Sequence, residues 1–264
     1  MSAVRSLWQF RDFIRSAVIN DVRNRFNRSV LGSMWAILQP LAQAAIFAVV
    51  MSVILQAKLP GMTSTTSYGA YLLSGLLGWQ LFVDGLNQGL SLFLRHADMI
   101  KKVRFPLTSL PIIAAGVCTV NHLLLLGATL FILVLLSFGP TPMAALMLPV
   151  LWLVTMGLGL GVGLILGVIN VFIRDMDVVV PIVTQLLFWF SPIIYMPSAL
   201  PTTYANLLAI NPMAGVVQSY QAVLVFHQWP EWNWLLYPVV LSLMCMLIAR
   251  WLVKRCFTQM VDVL

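Results

Sequence analysis

Long uncharged runs separated by short polar clusters set the pattern of this chain. No residue from Ser29 to Ala57 is charged. A bilayer core of about 30 Å takes about 20 apolar residues as helix, so Trp35–Leu55 is expected as a first span. Pro60–Ser67 is a Pro/Gly/Ser/Thr stretch that reads as a loop, and a second span follows from about Gly69 to Leu94, with Asp84 inside it. After the polar interruption Arg95–Arg104, Phe105 to Ile173 is 69 residues without a charge, too long for one crossing. Ser137-Phe-Gly-Pro-Thr-Pro142 breaks it into a third span, about Leu107–Phe138, and a fourth, about Met143–Ile173. Arg174, Asp175 and Asp177 end that pair, Val178 to about Tyr195 makes a fifth span, and Trp234–Val253 a sixth.

Two segments fall outside this scheme. In the first 28 residues Leu7, Phe10, Ile14, Val18 and Val22 recur at helical spacing, while Arg11 and Arg15 lie one turn apart on another side. Six arginines interrupt this region, so it lacks the continuous apolar core of a signal peptide. It suits an amphipathic helix lying in the headgroup plane with arginines towards lipid phosphate; the alternative is a solvated basic helix that only fixes orientation. Pro197–Asn233 lies on the opposite side of the membrane yet holds almost no charge. Two short helical patterns, Thr202–Ile210 and Pro212–Phe226, flank Asn211-Pro212, a sequence that favours a turn or helix start. An uncharged outer segment of this length is expected to dip back into the membrane, where non-helical backbone is tolerated only against protein or water. It is either a pore mouth or a cap on the other spans.

Composition removes the soluble alternatives. Hydrophobic residues make up 61% of the chain and charged ones 9%, against roughly 45–50% and about 25% in soluble domains. A water-exposed enzyme, a nucleic-acid-binding domain and a disulfide scaffold are excluded as first readings. The net charge of +7 reports orientation: with both termini inside, 14 of the 15 Lys and Arg residues are cytoplasmic and only Lys58 is outside, a strong positive-inside bias. The expected fold is therefore an all-α, multi-pass membrane protein of six transmembrane helices with cytoplasmic N and C termini. Residues 1–28 form the interfacial helix and 29–264 the membrane domain, which includes a connector at 95–106 and a re-entrant outer segment at 197–226.

Little catalytic chemistry is present. No G-x-x-x-x-G-K-[ST] phosphate loop exists. Gly157, Gly159, Gly161 and Gly163 miss the dinucleotide register and sit in mid-membrane; they pair as Gly157/Gly161, Gly159/Gly163 and Gly163/Gly167, a small-xxx-small pattern for close helix packing. Cys118, Cys245 and Cys256 share no metal-ligand spacing and read as packing residues, so neither catalytic nor metal-binding residues are expected. Asp84 and His122 are the ionisable groups well inside the membrane, at roughly 15 and 22 Å depth by helical rise. They are functional candidates, or else a structural pair, or contacts of Asn87 or Asn121. The connector from Leu94 to Pro106 alternates basic groups with Met99, Ile100, Val103 and Phe105; it is solvated surface or a docking knob for a cytoplasmic partner.

Together these residues resemble the membrane subunit of type-2 ATP-binding-cassette exporters, in the polysaccharide and O-antigen branch. Asp21-Val-Arg-Asn-Arg-Phe-Asn-Arg-Ser-Val-Leu-Gly-Ser-Met-Trp35 with Leu38-Gln-Pro-Leu41 is similar to that family's approach to its first span. Met99-Ile-Lys-Lys-Val-Arg-Phe-Pro106 resembles its coupling segment, Arg174-Asp175, Gln185 and Phe188-Trp-Phe-Ser-Pro-Ile-Ile-Tyr195 its fourth-to-fifth-span signature, and Asn211-Pro-Met213 its outer segment. Asn20, Phe26 and Gln221 depart from it, the last standing where an Arg is common.

The resemblance implies a homodimer in the bacterial inner membrane, bound below by two copies of a cytoplasmic ABC ATPase that carries the ATP and Mg. This chain would then hold no cofactor and would meet membrane lipids and a lipid-diphosphate-linked glycan, with no nucleic acid partner. It also implies site residues. Arg95, His96, Asp98, Met99, Ile100, Lys101, Lys102 and Arg104 would couple to the ATPase. Arg23, Arg25, Arg28 and Trp35 would meet the lipid head group at the entrance, and Phe188, Trp189, Tyr195, Asn211, Pro212 and Tyr220 would form the channel and its gate. A drug or small-lipid exporter is the nearest alternative. An ion-coupled secondary transporter would need more coupling groups than Asp84 and His122, and a membrane-embedded transferase a cluster that only Arg174–Asp177 hints at.

Overall fold

The computed structural model describes residues 10–26, 32–50, 65–102, 109–199 and 208–264; among them every regular element is helical and there is no strand. An N-terminal helix α1 (Arg11–Phe26) and a 3-10 turn (Gly32–Met34) lead to α2 (Trp35–Val49), then α3 (Thr65–Arg95) and the short α4 (Ala97–Lys102). After these come α5 (Ser109–Leu135), α6 (Pro142–Phe172), α7 (Met176–Trp189), a 3-10 turn at Pro197–Ala199, α8 (Pro212–Gln221) continued by a π turn (Ala222–Phe226), and α9 (Trp232–Val263). Three of these are long and apolar enough to cross a membrane: α5, α6 and α9. α2 and α7 contain shorter apolar stretches, and α3, though 31 residues long, carries the polar strip described below.

The most extensive helix pairing joins α3 to α6, and its cause is legible residue by residue. A Cβ added at Gly159 would lie 2.6 Å from the Phe82 carbonyl oxygen; one at Gly163 or Gly167 would strike the carbonyl of Leu86 or Gly89. From the other side, a Cβ at Gly89 would sit 2.5 Å from the carbonyl carbon of Gly163. The two helices therefore touch backbone to backbone, the approach that drives helix association where lipid offers no hydrophobic gain. Gly157 and Gly161 lie on the other side of α6, where added Cβ atoms would meet the side chains of Ser242 and Cys245 of α9 at 3.4 and 2.8 Å. The glycine pairs expected from sequence thus serve two different neighbours.

α3 is the hub. Gly75 and Gly78 leave notches for Gln221 and Tyr220 of α8, and α2 and α5 pack along it as well. α1 docks on α5 through Val18, which fills the space a Cβ at Gly116 would take, 2.7 Å away. Apolar burial falls into two clusters: one around Tyr71, Trp79, Phe82, Val217 and Tyr220, the other around Phe93, Ile100, Leu110, Val168 and Met260.

Element ends follow local chemistry. Ser137 adopts a left-handed φ of 69° at the end of α5, and Phe138 N donates back to the Leu133 carbonyl at 2.7 Å. Thr141 caps α6 by accepting from Ala144 N at 3.3 Å, with Pro142 in the first turn, where its missing N–H is harmless. α7 stops at Trp189, short of the Tyr195 expected from apolarity, because Pro192 can neither donate to the helix nor leave its predecessor free to be helical. α9 runs ten residues beyond the expected Val253, to Val263. The far end of the expected first span, past residue 50, and most of the Thr202–Ile210 pattern lie outside the described residues.

If the α3–α6 contact holds the fold, Gly163→Ala lowers thermal stability by about 1–3 kcal/mol, the range for overpacking. Gly127→Ala, with nothing within 4 Å of an added Cβ, leaves it unchanged. Thermal unfolding of the purified protein in detergent reads both.

Candidate functional site

Polar residues of α3 recur at three- and four-residue spacing in its second half, so Asp84, Asn87, Gln88, Ser91 and Arg95 share one face. With Asp21 from α1 and His96 they line an open cavity of about 480 Å³. Asn121 of α5 donates to Asp84 Oδ2 at 3.3 Å, which makes the Asn121 contact foreseen among the alternatives for Asp84. His122 does not line this cavity; it is buried, edge-on to Tyr220 with ring centroids 6.4 Å apart. Arg95 donates to the Gln88 side-chain oxygen, and Ser91 Oγ donates to the Asn87 carbonyl at 2.8 Å. The cavity thus mixes hydroxyl, amide, carboxylate and guanidinium groups on a rigid helix.

His96 marks the joint between α3 and α4. Its Nδ1 lies 2.9 Å from the Leu92 carbonyl, so the proton sits on that nitrogen, and Nε2 is 3.9 Å from Asp21 Oδ2. This partly buried contact ties the N-terminal helix to the connector, and no local pattern in the sequence announces it. Within the connector, Asp98 and Lys101 are exposed, Met99 is half-buried, and Ile100 is buried in the apolar cluster of Leu110 and Met260. Lys102 ends α4. Arg104 lies outside the described residues, as does Arg28; Arg23 and Arg25 fall in the last turns of α1, and Trp35, 45% exposed, opens α2.

At the other end of the molecule the segment after α7 leaves helical geometry, and its carbonyls are taken up by buried side chains. Tyr68 donates to the Ile194 carbonyl at 2.6 Å, and the Tyr71 hydroxyl is shared between Pro192 at 3.1 Å and Tyr195 at 2.9 Å. Gln221 donates to Pro192 at 3.1 Å, so the residue at the departure from the family pattern has a definite task. Asn211 works in two directions: its oxygen accepts from Met213 N at 2.9 Å to cap α8, and its amide donates to the Phe190 carbonyl at 3.1 Å and Ser191 Oγ at 3.0 Å. Pro212 fills the first turn of α8.

The four aromatics expected at the channel divide. Phe188 is 3% exposed, stacked on Phe47 with centroids 5.7 Å apart and edge-on to Trp79 at 5.5 Å. Tyr220 is fully buried over Gly78. Trp189 is 52% exposed, and Tyr195 is half-buried with its hydroxyl donating to the Trp189 carbonyl at 3.3 Å. Behind the start of α7, Asn170 donates to Asp177 Oδ1 at 2.9 Å and to the Leu90 carbonyl at 3.3 Å. Tyr68, Tyr71, the donor role of Gln221 and the Asn170–Asp177 bond escaped the sequence reading; the local signals were the Tyr pair three residues apart at the start of α3 and the departure from the family pattern at Gln221. Among the described residues no group of three His, Cys, Asp or Glu side chains is disposed to hold a metal.

A family model described as "ABC-2 type transporter" matches residues 13–225. The chain belongs to the ABC-2 type transporter family. Members of this family are permease subunits of transporters and are not themselves catalytic, and the helices described make this ABC-2 chain a multi-pass membrane protein. It is 28% identical over 233 residues to the O-antigen export system permease protein RfbA of Myxococcus xanthus, covering 86% of each chain. It is 26% identical over 203 residues to a protein of the same name from Klebsiella pneumoniae (76% and 75% covered). Over 219 residues it is 26% identical to the polysialic acid transport protein KpsM of Escherichia coli (80% and 81% covered). The matched region in this ABC-2 chain runs from α1 through α8 and so includes both the polar cavity and the clamped segment after α7.

The clamp yields a stability test. Tyr71→Phe with Gln221→Leu removes both donors from the Pro192 carbonyl, and a buried unsatisfied acceptor lowers stability by about 1–3 kcal/mol. Thermal unfolding of the double variant in detergent should show a larger loss than either single change.

Proposed function

We propose that this chain is the membrane subunit of an ATP-driven exporter that moves a lipid-linked polysaccharide, of O-antigen, capsule or teichoic-acid type, across the bacterial inner membrane. The observation that carries this reading is the similarity along most of the chain to permeases named for O-antigen and polysialic acid transport. The site supports it: the cavity on α3 presents hydroxyl, amide and carboxylate groups suited to sugar hydroxyls.

On this reading the chain crosses the membrane six times, with both termini in the cytoplasm and the segment 197–226 re-entering from outside. The positive-inside bias and the side-chain satisfaction of the non-helical backbone at Pro192–Tyr195 support that topology. Two copies form the path, and two copies of a separate ABC ATPase hold ATP and Mg. The connector 95–106 receives the motion of the ATPase through exposed Asp98 and Lys101 together with Lys102 and Arg104. Buried His96 and Ile100 carry the motion on to α1 and α9. Arg23, Arg25 and Arg28 on the interfacial region 1–28 meet the diphosphate, for which arginine forks are suited. Trp189 and Tyr195, rather than the packed Phe188 and Tyr220, face the glycan, with Asn211-Pro212 setting the start of α8.

Replacing Asp98, Lys101 and Lys102 together by Ala should abolish surface polysaccharide while the amount of chain in the membrane stays normal. Immunoblots of membranes and of surface glycan measure the two. Undiminished surface polysaccharide in that variant contradicts the coupling role.

A further inference from the structure

A second cavity, of about 260 Å³, opens between the segment after α7, α8 with its π turn, and the first turn of α9. Tyr71 and Gln221 on its floor belong to the clamp already described; Gln218, Gln228, Glu231 and Trp234 on its walls have no part in it. Gln228 and Glu231 are exposed, while Gln218, Phe226 and Trp234 are half-buried, so the cavity has a wet mouth and an aromatic interior.

The construction of the walls is specific. A Cβ at Gly215 would run into the Trp234 carbonyl, so only glycine lets α8 approach the start of α9 closely enough to seat Trp234 at the cavity. His227 takes a left-handed φ of 52°, and Gln228 N donates to the Ala222 carbonyl at 2.9 Å; together they end the π turn and hold Gln228 on the wall. Gln218 Nε2 donates to the Ala214 carbonyl at 3.2 Å and Ser219 Oγ to that of Gly215 at 2.7 Å. Both side chains are thereby oriented before any ligand arrives, with the Gln218 amide oxygen and the Ser219 lone pairs as acceptors.

The chemistry selects the ligand class. The described lining contains no Lys, Arg or His, which disfavours phosphate or an acidic sugar. Rings beside amides, a hydroxyl and one carboxylate suit a polyol whose C–H faces lie on an aromatic ring and whose hydroxyls donate to fixed acceptors. A volume of about 260 Å³ is ample for one sugar unit. We propose that this cavity is a sugar-binding site that takes one neutral sugar unit of the glycan as it emerges on the outer side. The site rests on the exporter reading and its topology. Occupying it disfavours return of the chain into the channel.

The test places the photocrosslinker p-benzoylphenylalanine at Gln228 in cells that contain the chain and its ATPase. After irradiation, the purified chain is probed for covalently attached glycan. The expected result is an adduct that requires an active ATPase and falls about tenfold in Trp234→Ala and in Gln218→Leu, the effect of about 1.4 kcal/mol of lost binding. Both variants are compared at equal membrane levels of chain. Absence of any adduct, an adduct of equal yield with an inactive ATPase, or one undiminished in both variants overturns the site. Deleting the chain separates the two levels: surface polysaccharide that persists overturns the exporter reading itself, whereas its loss without a Gln228 adduct overturns the sugar site alone.

Discussion

The fold depends on the direct contact of two helix backbones. α3 and α6 meet where Gly85 and Gly89 face Gly159, Gly163 and Gly167, with backbone atoms of the opposite helix occupying the places that Cβ atoms would take. In water two helices are driven together by expelling solvent from apolar faces. In lipid that drive is absent, and the attraction must come from many close atomic contacts and weak Cα–H···O interactions, which only small residues permit. The same helix α6 turns its remaining glycines to α9, and α3 offers Gly75 and Gly78 to α8. Glycines on α3 and α6 therefore set the distances at which α8 and α9 pack.

On that frame the polar groups fall into two kinds. Some satisfy backbone that cannot be helical: Tyr68, Tyr71, Asn211 and Gln221 supply donors to the carbonyls of residues 190–195, where Pro192 ends α7. At membrane depth an unpaired carbonyl costs several kcal/mol, so these side chains are what makes an abrupt turn after α7 possible. The others line open space. The strip from Asp84 to Arg95 faces a cavity instead of packing, and its neighbours Asp21 and His96 join that cavity to the connector. The cavity and the joint to the connector thus share Asp21 and His96.

Much of this was legible in the chain. Apolar run length located α5, α6 and α9, the Ser137–Pro142 punctuation separated α5 from α6, and four-residue glycine spacing anticipated the close packing of α6. Asn211-Pro212 announced the start of α8 because capping and first-turn preferences are local. What remained hidden was pairing across long separations. Tyr68 reaches Ile194, 126 positions away, and Asp21 meets His96 at the joint between α3 and α4. Nor does helical periodicity tell an exposed residue from one facing a neighbouring helix: Phe188 and Tyr220 look like Trp189 and Tyr195 in sequence, yet the first two are core and the others are partly exposed. Apolarity also misplaced two ends, since Pro192 shortens α7 and the charged turns after Val253 continue α9.

Reconstitution tests the account most directly. The purified chain and its ATPase, inserted in sealed vesicles with the nucleotide-binding side outward, would be supplied with lipid-linked glycan on the outer surface and probed with an added glycosidase. The account predicts that ATP renders the glycan progressively resistant to digestion as it passes into the lumen, and that resistance does not develop without ATP. Glycan that remains fully digestible while ATP is hydrolysed, or that becomes resistant equally without ATP, would contradict it.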